Sequence, residues 1–156
     1  MPLLKYTTEV PVSKTVAEIF GALRAAGADK VLIEYEDQQE RGISFEMKTL
    51  FGPVVFRVPV DVPHTAQVLK NQYHKGIAPR AVLRDGQAAR VSWRIVKDWL
   101  DAQLALIQIE VVSLDQIFLP YAVTPSGQTF YDIVVERGGL PKLLGAGQAQ
   151  AEPPRA

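Results

Sequence analysis

Seven of the chain's lysine and arginine residues fall between Lys70 and Lys97, a stretch that contains only one acid, Asp85. Because the whole chain has no net charge, the remainder carries sixteen acids and ten cations. Cations gathered in this way attract anions, and a phosphate backbone is the polyanion that such stretches commonly bind. The spacing predicts a positive strip made of Lys70, Lys75, Arg80, Arg84, Arg90, Arg94 and Lys97.

Side chains that stack on bases lie in the same stretch, at Tyr73 and His74. Arg90, Arg94 and Lys97 recur at steps of four and three residues, which places them on one helix face. Non-enzymatic nucleic-acid binding is therefore the leading interpretation. We expect that replacing Arg90 and Arg94 by Glu abolishes this binding without unfolding the domain. Since no helix-turn-helix or zinc-finger pattern is present, single-stranded DNA is favoured over duplex. The predicted nucleic-acid-binding residues are Lys70, Tyr73, Lys75, Arg80, Arg84, Arg90, Arg94 and Lys97.

A second set of charged residues points to metal-dependent chemistry. Glu46 and Lys48 occupy alternate positions of a predicted strand, so their side chains share one face. With Glu18 on a preceding helix and Glu34 on a preceding strand, the arrangement resembles the core of PD-(D/E)xK nucleases. The resemblance implies carboxylates that hold Mg²⁺ and a lysine that orients the attacking water. The chain departs from that pattern because no Pro-Asp dipeptide opens it and Glu34 must replace the usual Asp.

Two alternatives for the cation-rich stretch involve no nucleic acid. The cations can be solvated surface charges, partly neutralised by Asp98, Asp101 and the acidic residues at 34–40. They can also contact an acidic partner, which would make the protein a protein-protein modulator. The sequence leaves both alternatives open.

Composition excludes several other kinds of site. The chain has no Cys and only two His, His64 and His74, so disulfides and thiolate metal sites are excluded and no zinc site is expected. We predict no cofactor. No apolar run approaches the roughly 20 residues of a membrane span, and the start MPLLKYTTEV lacks the apolar segment of a signal peptide. We therefore expect a cytoplasmic location and no membrane contact.

The elements that would position these residues predict an α+β fold. Alternating apolar residues indicate strands at residues 3–10, 30–36, 43–51 and 54–60. Val16, Ile19 and Leu23 recur at helical spacing, which predicts a helix over residues 14–26 that crosses over between the first two strands. The predicted sheet is four-stranded, mainly antiparallel and covered on one side.

The second half of the chain is predicted to be helical. Pro63 begins a short helix, and residues 73–86 form a loop because they contain two Gly, one Pro and no sustained period. A long central helix spans residues 87–109 and has two apolar stripes. Because one chain rarely covers so wide a surface, we expect a homo-oligomer. A short helical C-terminal section follows, at Leu114–Phe118 and Thr129–Arg137.

We expect one domain, residues 1–137, followed by a flexible tail, residues 138–156, rich in Gly, Ala, Pro and Gln. Three segments of the domain resemble, in this order, small proteins of phages and integrated mobile elements whose activity is not established: GISFEMKTLFGPVVFRVPV, RVSWRIVKDWLDAQLALI and FLPYAVTPSGQTFYD. The resemblance implies binding of single-stranded DNA during replication, or modulation of a host machine. It implies no catalytic residue.

Overall fold

The computed structural model describes residues 1–145, apart from the side chains of Leu140 and Leu143, and shows an α+β fold. Its helices are α1 (Val12–Ala25), α2 (Val62–His74), α3 (Gln87–Gln108), α4 (Leu114–Phe118), α5 (Phe130–Glu136) and α6 (Gly139–Leu144). Its strands are β1 (Lys30–Glu36), β2 (Gln39–Thr49) and β3 (Gly52–Arg57), which form one antiparallel sheet in the order β1-β2-β3. Between residues 1 and 145, no helix is long and apolar enough to cross a membrane.

The N-terminal segment, residues 1–10, is not a strand, so the prediction of a fourth strand is wrong. Its backbone turns instead: the Tyr6 amide donates to the Leu3 carbonyl at 3.2 Å, and Lys5 has a φ of 62°. A side-chain amide replaces a strand partner, because the Leu3 amide donates to Gln72 Oε1 at 3.0 Å. Without a first strand, α1 precedes the sheet and is not a crossover connection.

A two-residue turn joins β1 to β2. Asp37 and Gln38 have φ values of 48° and 62°, and Glu36 pairs with Gln39 across the turn. Two consecutive residues with positive φ are typical of tight hairpin turns, whose twist matches that of the strands. The connection between the strands predicted at 30–36 and 43–51 is therefore shorter than expected, and residues 39–42 extend β2. The predicted bounds of β1 are confirmed.

The main core lies between one face of the sheet and the helices α1, α3 and α4. Phe45 pairs with Phe56, and Met47 with Val54, on this face. The ring centroids of Phe45 and Phe56 are 5.4 Å apart, and Phe118 of α4 meets Phe45 edge-on at 5.4 Å. The buried residues of this core are Val16, Ile19, Leu23, Ile43, Phe45, Met47, Phe56, Val58, Trp93, Val96, Leu100 and Phe118.

A second, smaller core lies on another side of α3, and the loop predicted at residues 73–86 is only partly correct, because it has helical structure of its own. Helix α2 continues to His74, a 3-10 helix spans Arg80–Leu83, and Val82 is only 3% exposed. Both apolar stripes of α3 are therefore covered within the chain over its first half. The reason for expecting a second subunit on that part of α3 is removed. The buried residues of the second core are Leu69, Ala78, Val82 and Val91, with Leu3, Tyr6 and Tyr73 half-buried against them.

The C-terminal section covers the outer edge of β3. The Val123 amide donates to the Val55 carbonyl at 2.8 Å. A turn at residues 124–127 follows, and it closes with the Gly127 amide donating to the Thr124 carbonyl at 2.9 Å. This edge of the sheet is therefore occupied by the chain itself.

The short helices predicted after α3 are present as α4 and α5. Each begins with a capping box, in which the side chain of Ser113 or Thr129 accepts from a backbone amide one turn later. Gly138 interrupts the helical section, and α6 follows it, so residues 139–144 of the predicted tail are helical. The remainder of that tail, residues 146–156, lies outside the described residues.

Candidate nucleic-acid interface

The cations of the predicted strip separate into two groups. Four of them engage polar groups of the protein itself, and we call these the inner cations: Arg84, Arg90, Arg94 and Lys97. The other three are exposed and form no ion pair within residues 1–145, and we call these the outer cations: Lys70, Lys75 and Arg80.

Two of the inner cations join α3 to α1. Arg94 Nη1 donates to Glu18 Oε2 at 2.6 Å, and Lys97 Nζ lies 4.0 Å from the same oxygen while it also pairs with Asp101. The hydrogen bond from Arg94 lowers the pKa of Glu18 below its usual value of 4.5. The side chains of Arg94 and Glu18 are only 20% and 32% exposed, so this pair belongs to the helix contact.

The other two inner cations lie at the start of α3. Arg84 Nη2 donates to Glu9 Oε1 at 2.6 Å, and this hydrogen bond lowers the pKa of Glu9 below 4.5. Arg90 donates to Gln87 Oε1 from both Nε, at 3.0 Å, and Nη2, at 2.8 Å. Arg90 is half-buried beside Gln87, whereas the pair of Arg84 with Glu9 lies at the surface, with side chains 47% and 71% exposed.

Gln87 connects these cations to the N-terminal segment. Its side chain is buried, and its Nε2 donates to the carbonyl oxygens of Tyr6 at 2.9 Å and Thr8 at 3.0 Å. Its Oε1 accepts from Arg84 and Arg90 on the opposite side. One amide thus satisfies two backbone acceptors and two guanidinium groups, which fixes the segment against α3.

The outer cations surround the C-terminal end of α2. Lys70 lies near that end, Lys75 caps the helix, and Arg80 begins the 3-10 helix that packs back against α2. The last carbonyl groups of a helix carry partial negative charge and favour nearby cations. Some of this positive charge therefore stabilises α2, while the exposed side chains remain available to a ligand.

Aromatic rings accompany the outer cations. Tyr73 and His74 follow Lys70 by three and four residues, and their ring centroids lie 5.4 Å apart. Tyr73 is half-buried against the second core, whereas His74 is exposed. Trp93 is fully buried and offers no face for stacking. We call the exposed corner the α2 patch, formed by Lys70, Tyr73, His74, Lys75 and Arg80.

The nuclease-like residues are not brought together. Glu46 pairs with Lys30 at 3.1 Å. Glu34 is four residues beyond Lys30 on β1, so the backbone positions of these two residues are about 13 Å apart at the usual rise per strand residue. Glu18 lies on α1 and binds an inner cation. Lys48 is exposed on β2. Over the described range, no group of three or more His, Cys, Asp or Glu side chains could hold a metal ion.

An apolar groove of about 900 Å³ lies between α1, β2, α3 and the start of α4. The small side chains of Ala22 and Ala25 leave the space open. Met47 and Leu104 also line the groove, together with the charged residues Asp29 and Lys48. The sequence did not indicate this groove, because alanines in a helix are ordinary helix formers.

Two acidic partners of the inner cations, Glu9 and Glu18, were also missed, whereas the pairing of Lys97 with Asp101 follows from the sequence spacing and is present. Glu9 is 75 residues from Arg84, and Glu18 is 76 residues from Arg94. Local spacing carries no signal for such pairs. The excess of acids outside the cation-rich stretch was the only indication that partners existed.

No protein family, curated protein or solved structure matches the chain. The function is therefore inferred from the chemistry of the exposed groups.

Proposed function

We propose that the protein binds single-stranded nucleic acid, with single-stranded DNA preferred, through the α2 patch. The observation that supports the proposal is the set of three exposed cations that form no ion pair among residues 1–145 and lie beside two aromatic rings at one helix end. Cations bind successive phosphates, and an unpaired base stacks on a Tyr or His ring. In this proposal the inner cations stabilise the fold and do not contact the ligand.

The shape of the surface favours a single strand over a duplex. A recognition helix must present side chains to base edges in the major groove. The first half of α3 is covered by the two cores, so it cannot enter a groove. On α2, Gln67 Nε2 donates to Asn71 Oδ1 at 3.0 Å, so these two exposed amides bind each other. A flexible single strand needs only exposed cations and stacking rings, which the α2 patch supplies.

Three phosphate contacts would give a weak and salt-sensitive complex. At about 0.7 per phosphate for a single strand, the slope of log K against log salt concentration is about −2. We extend the proposal to the setting that the sequence resemblance implies, the replication of a phage or integrated mobile element.

The test is fluorescence anisotropy with a labelled single strand and a labelled duplex of the same sequence. We expect the single strand to bind more tightly. The triple variant Lys70→Gln/Lys75→Gln/Arg80→Gln should weaken that binding by at least about tenfold, because each contact contributes to counterion release. Unchanged affinity in this variant would remove the α2 patch from the interface.

A matched control has the same change in net charge at three exposed cations outside the patch. Lys14→Gln/Arg24→Gln/Lys48→Gln replaces side chains that form no ion pair within residues 1–145. This variant should bind like the unmodified chain. An equal loss in both triple variants would mean that binding follows overall charge and has no defined site.

The apolar groove favours a second candidate function, a protein-protein modulator. Its small-residue walls fit the apolar side chains of a partner helix, a common mode of peptide recognition. Ala25→Trp would fill the groove from its exposed rim. On this alternative the variant loses its partner in a pull-down, while nucleic-acid binding by the α2 patch is unchanged.

A further inference from the structure

One edge of the sheet is open. The outer edge of β3 is occupied by Val123, and Ala122 bridges to Phe56 beside it. Strand β1 lies at the opposite edge, and between residues 1 and 145 no strand pairs with its outer side. An unpaired edge strand presents amide and carbonyl groups that pair readily with a strand of another chain.

The register shows which groups of β1 face this edge. The Val58 amide donates to the Ile43 carbonyl at 3.0 Å, so the backbone groups of Ile43 point toward β3 and those of Ser44 point toward β1. Ser44 pairs with Leu32, whose backbone groups therefore point into the sheet. By alternation Ile33 directs its amide and carbonyl outward, as do the residues two positions before and after it.

The sequence of β1, KVLIEYE, is self-complementary around Ile33. Antiparallel pairing of two copies about this centre opposes Lys30 with Glu36, Val31 with Tyr35, Leu32 with Glu34, and Ile33 with itself. All seven residues then pair, and no like charges stand opposite each other. A centre at Glu34 would oppose two copies of that carboxylate, and a centre at Tyr35 would oppose Glu34 to Glu36. Centres at Val31 or Leu32 would place the last residues of β1 opposite residues outside the strand. Ile33 is therefore the favoured centre.

The side chains of β1 are also suited to a second copy. Leu32 and Tyr35 are each 61% exposed although both are large and mainly apolar. Charged side chains that extend from an edge strand hinder pairing. Glu34 does not, because its Oε2 lies only 2.8 Å from the position that a Cβ of Gly42 would occupy, so the carboxylate is folded back over its own sheet.

We propose that the protein forms a symmetric dimer in which two β1 strands pair around Ile33 and join the two sheets into one antiparallel sheet. The pairing of Lys30 with Glu36 occurs twice because of the two-fold axis. A seven-residue strand is about 23 Å long, so the interface is short and the dimer is expected to dissociate in the micromolar range or above. This proposal is independent of nucleic-acid binding.

Sedimentation velocity on the full chain over a concentration series tests the dimer. Lys30→Glu and Glu36→Lys each oppose like charges at both ends of the interface, and each should raise the dissociation constant by at least about tenfold. An equimolar mixture of the two variants should dimerise again, because each supplies the charge that the other lacks. The mixture also controls for the ion pairs that the variants lose within one chain, Lys30 with Glu46 and Glu36 with Arg41.

Val31→Pro gives a test that involves no charge. Proline is tolerated on an edge strand where the missing amide faces outward, so the variant should fold, as circular dichroism would show, and should not dimerise. An unmodified chain that stays monomeric throughout the series overturns the proposal, and so does a dimer that Lys30→Glu leaves unaffected. If both charge variants fail to dimerise and their mixture does not dimerise either, the register around Ile33 is wrong.

Discussion

Gln87→Met tests whether one buried amide holds the N-terminal segment against α3. Gln87 is 1% exposed, and its Nε2 donates to the carbonyl oxygens of Tyr6 and Thr8. Methionine has a similar volume but no donor, so packing is retained while two partly buried acceptors lose their partner. The guanidinium groups that bind Oε1 can reach water. At about 1–2 kcal/mol for each unsatisfied acceptor, the free energy of unfolding should fall by about 2–4 kcal/mol.

Urea denaturation followed by far-ultraviolet circular dichroism measures this loss. Gln67→Met is the matched control, since it removes an exposed amide of α2 and should change the free energy of unfolding by less than about 0.5 kcal/mol. A loss below about 1 kcal/mol in Gln87→Met would refute the reasoning, because two unsatisfied acceptors cannot cost so little. The N-terminal segment would then be held by Leu3 and Tyr6 in the second core.

Three further predictions concern single contacts. Arg94→Glu should lower the free energy of unfolding by about 2–4 kcal/mol in urea denaturation, because it sets a carboxylate beside Glu18, and Glu18→Arg in the same chain should restore at least half of the loss. In thermal melts, the stability of Glu18→Gln should fall less steeply than that of the unmodified chain as the pH is lowered below 4.5. The pKa of Glu18 is lowered in the fold, so the stabilisation by its carboxylate is present above pH 4.5 and disappears as the pH falls through the folded-state pKa. Gly42→Ala should cost less than about 1 kcal/mol in urea denaturation, because the Glu34 carboxylate that meets the new Cβ can move, and Glu34→Ala should remove the cost.

Each of these predictions has an outcome that contradicts it. Lys70→Glu changes an outer cation by the same charge as Arg94→Glu, and equal stability of the two variants would show that Arg94 has no structural role. An unchanged pH profile in Glu18→Gln would mean that the pair with Arg94 does not stabilise the fold. A persistent loss in Gly42→Ala/Glu34→Ala would point to backbone strain and not to the carboxylate.

Regular elements with one continuous buried face were readable from the sequence. The apolar alternation of β1 and the three- and four-residue steps of α3 predicted bounds within a residue of those observed, because packing against a core imposes the same period along the whole element. The N-terminal segment also alternates, yet Leu3 and Tyr6 face the second core at a spacing of three. Its backbone is satisfied by side-chain amides from distant helices, which no local pattern reveals.

The candidate site was readable only in part, for a related reason. A sequence shows the sign and position of each charge but not its partner in space. Lys75 and Arg80 lie on an exposed corner and remain candidates for ligand contact, whereas Arg94 meets Glu18 across a helix pair. Had Glu9 and Glu18 stood on another surface, Arg84 and Arg94 would have lost the carboxylates that they bind.

The arrangement of two cores around α3 has an optical consequence. Both tryptophans of the chain, Trp93 and Trp99, belong to the main core, and the second core holds Tyr6 and Tyr73 but no indole. Tryptophan emission therefore reports only one of the two cores. If the corner that carries the α2 patch detached while the sheet stayed folded, the emission spectrum would remain native. A melt followed by fluorescence alone would then overstate the temperature up to which the α2 patch stays folded.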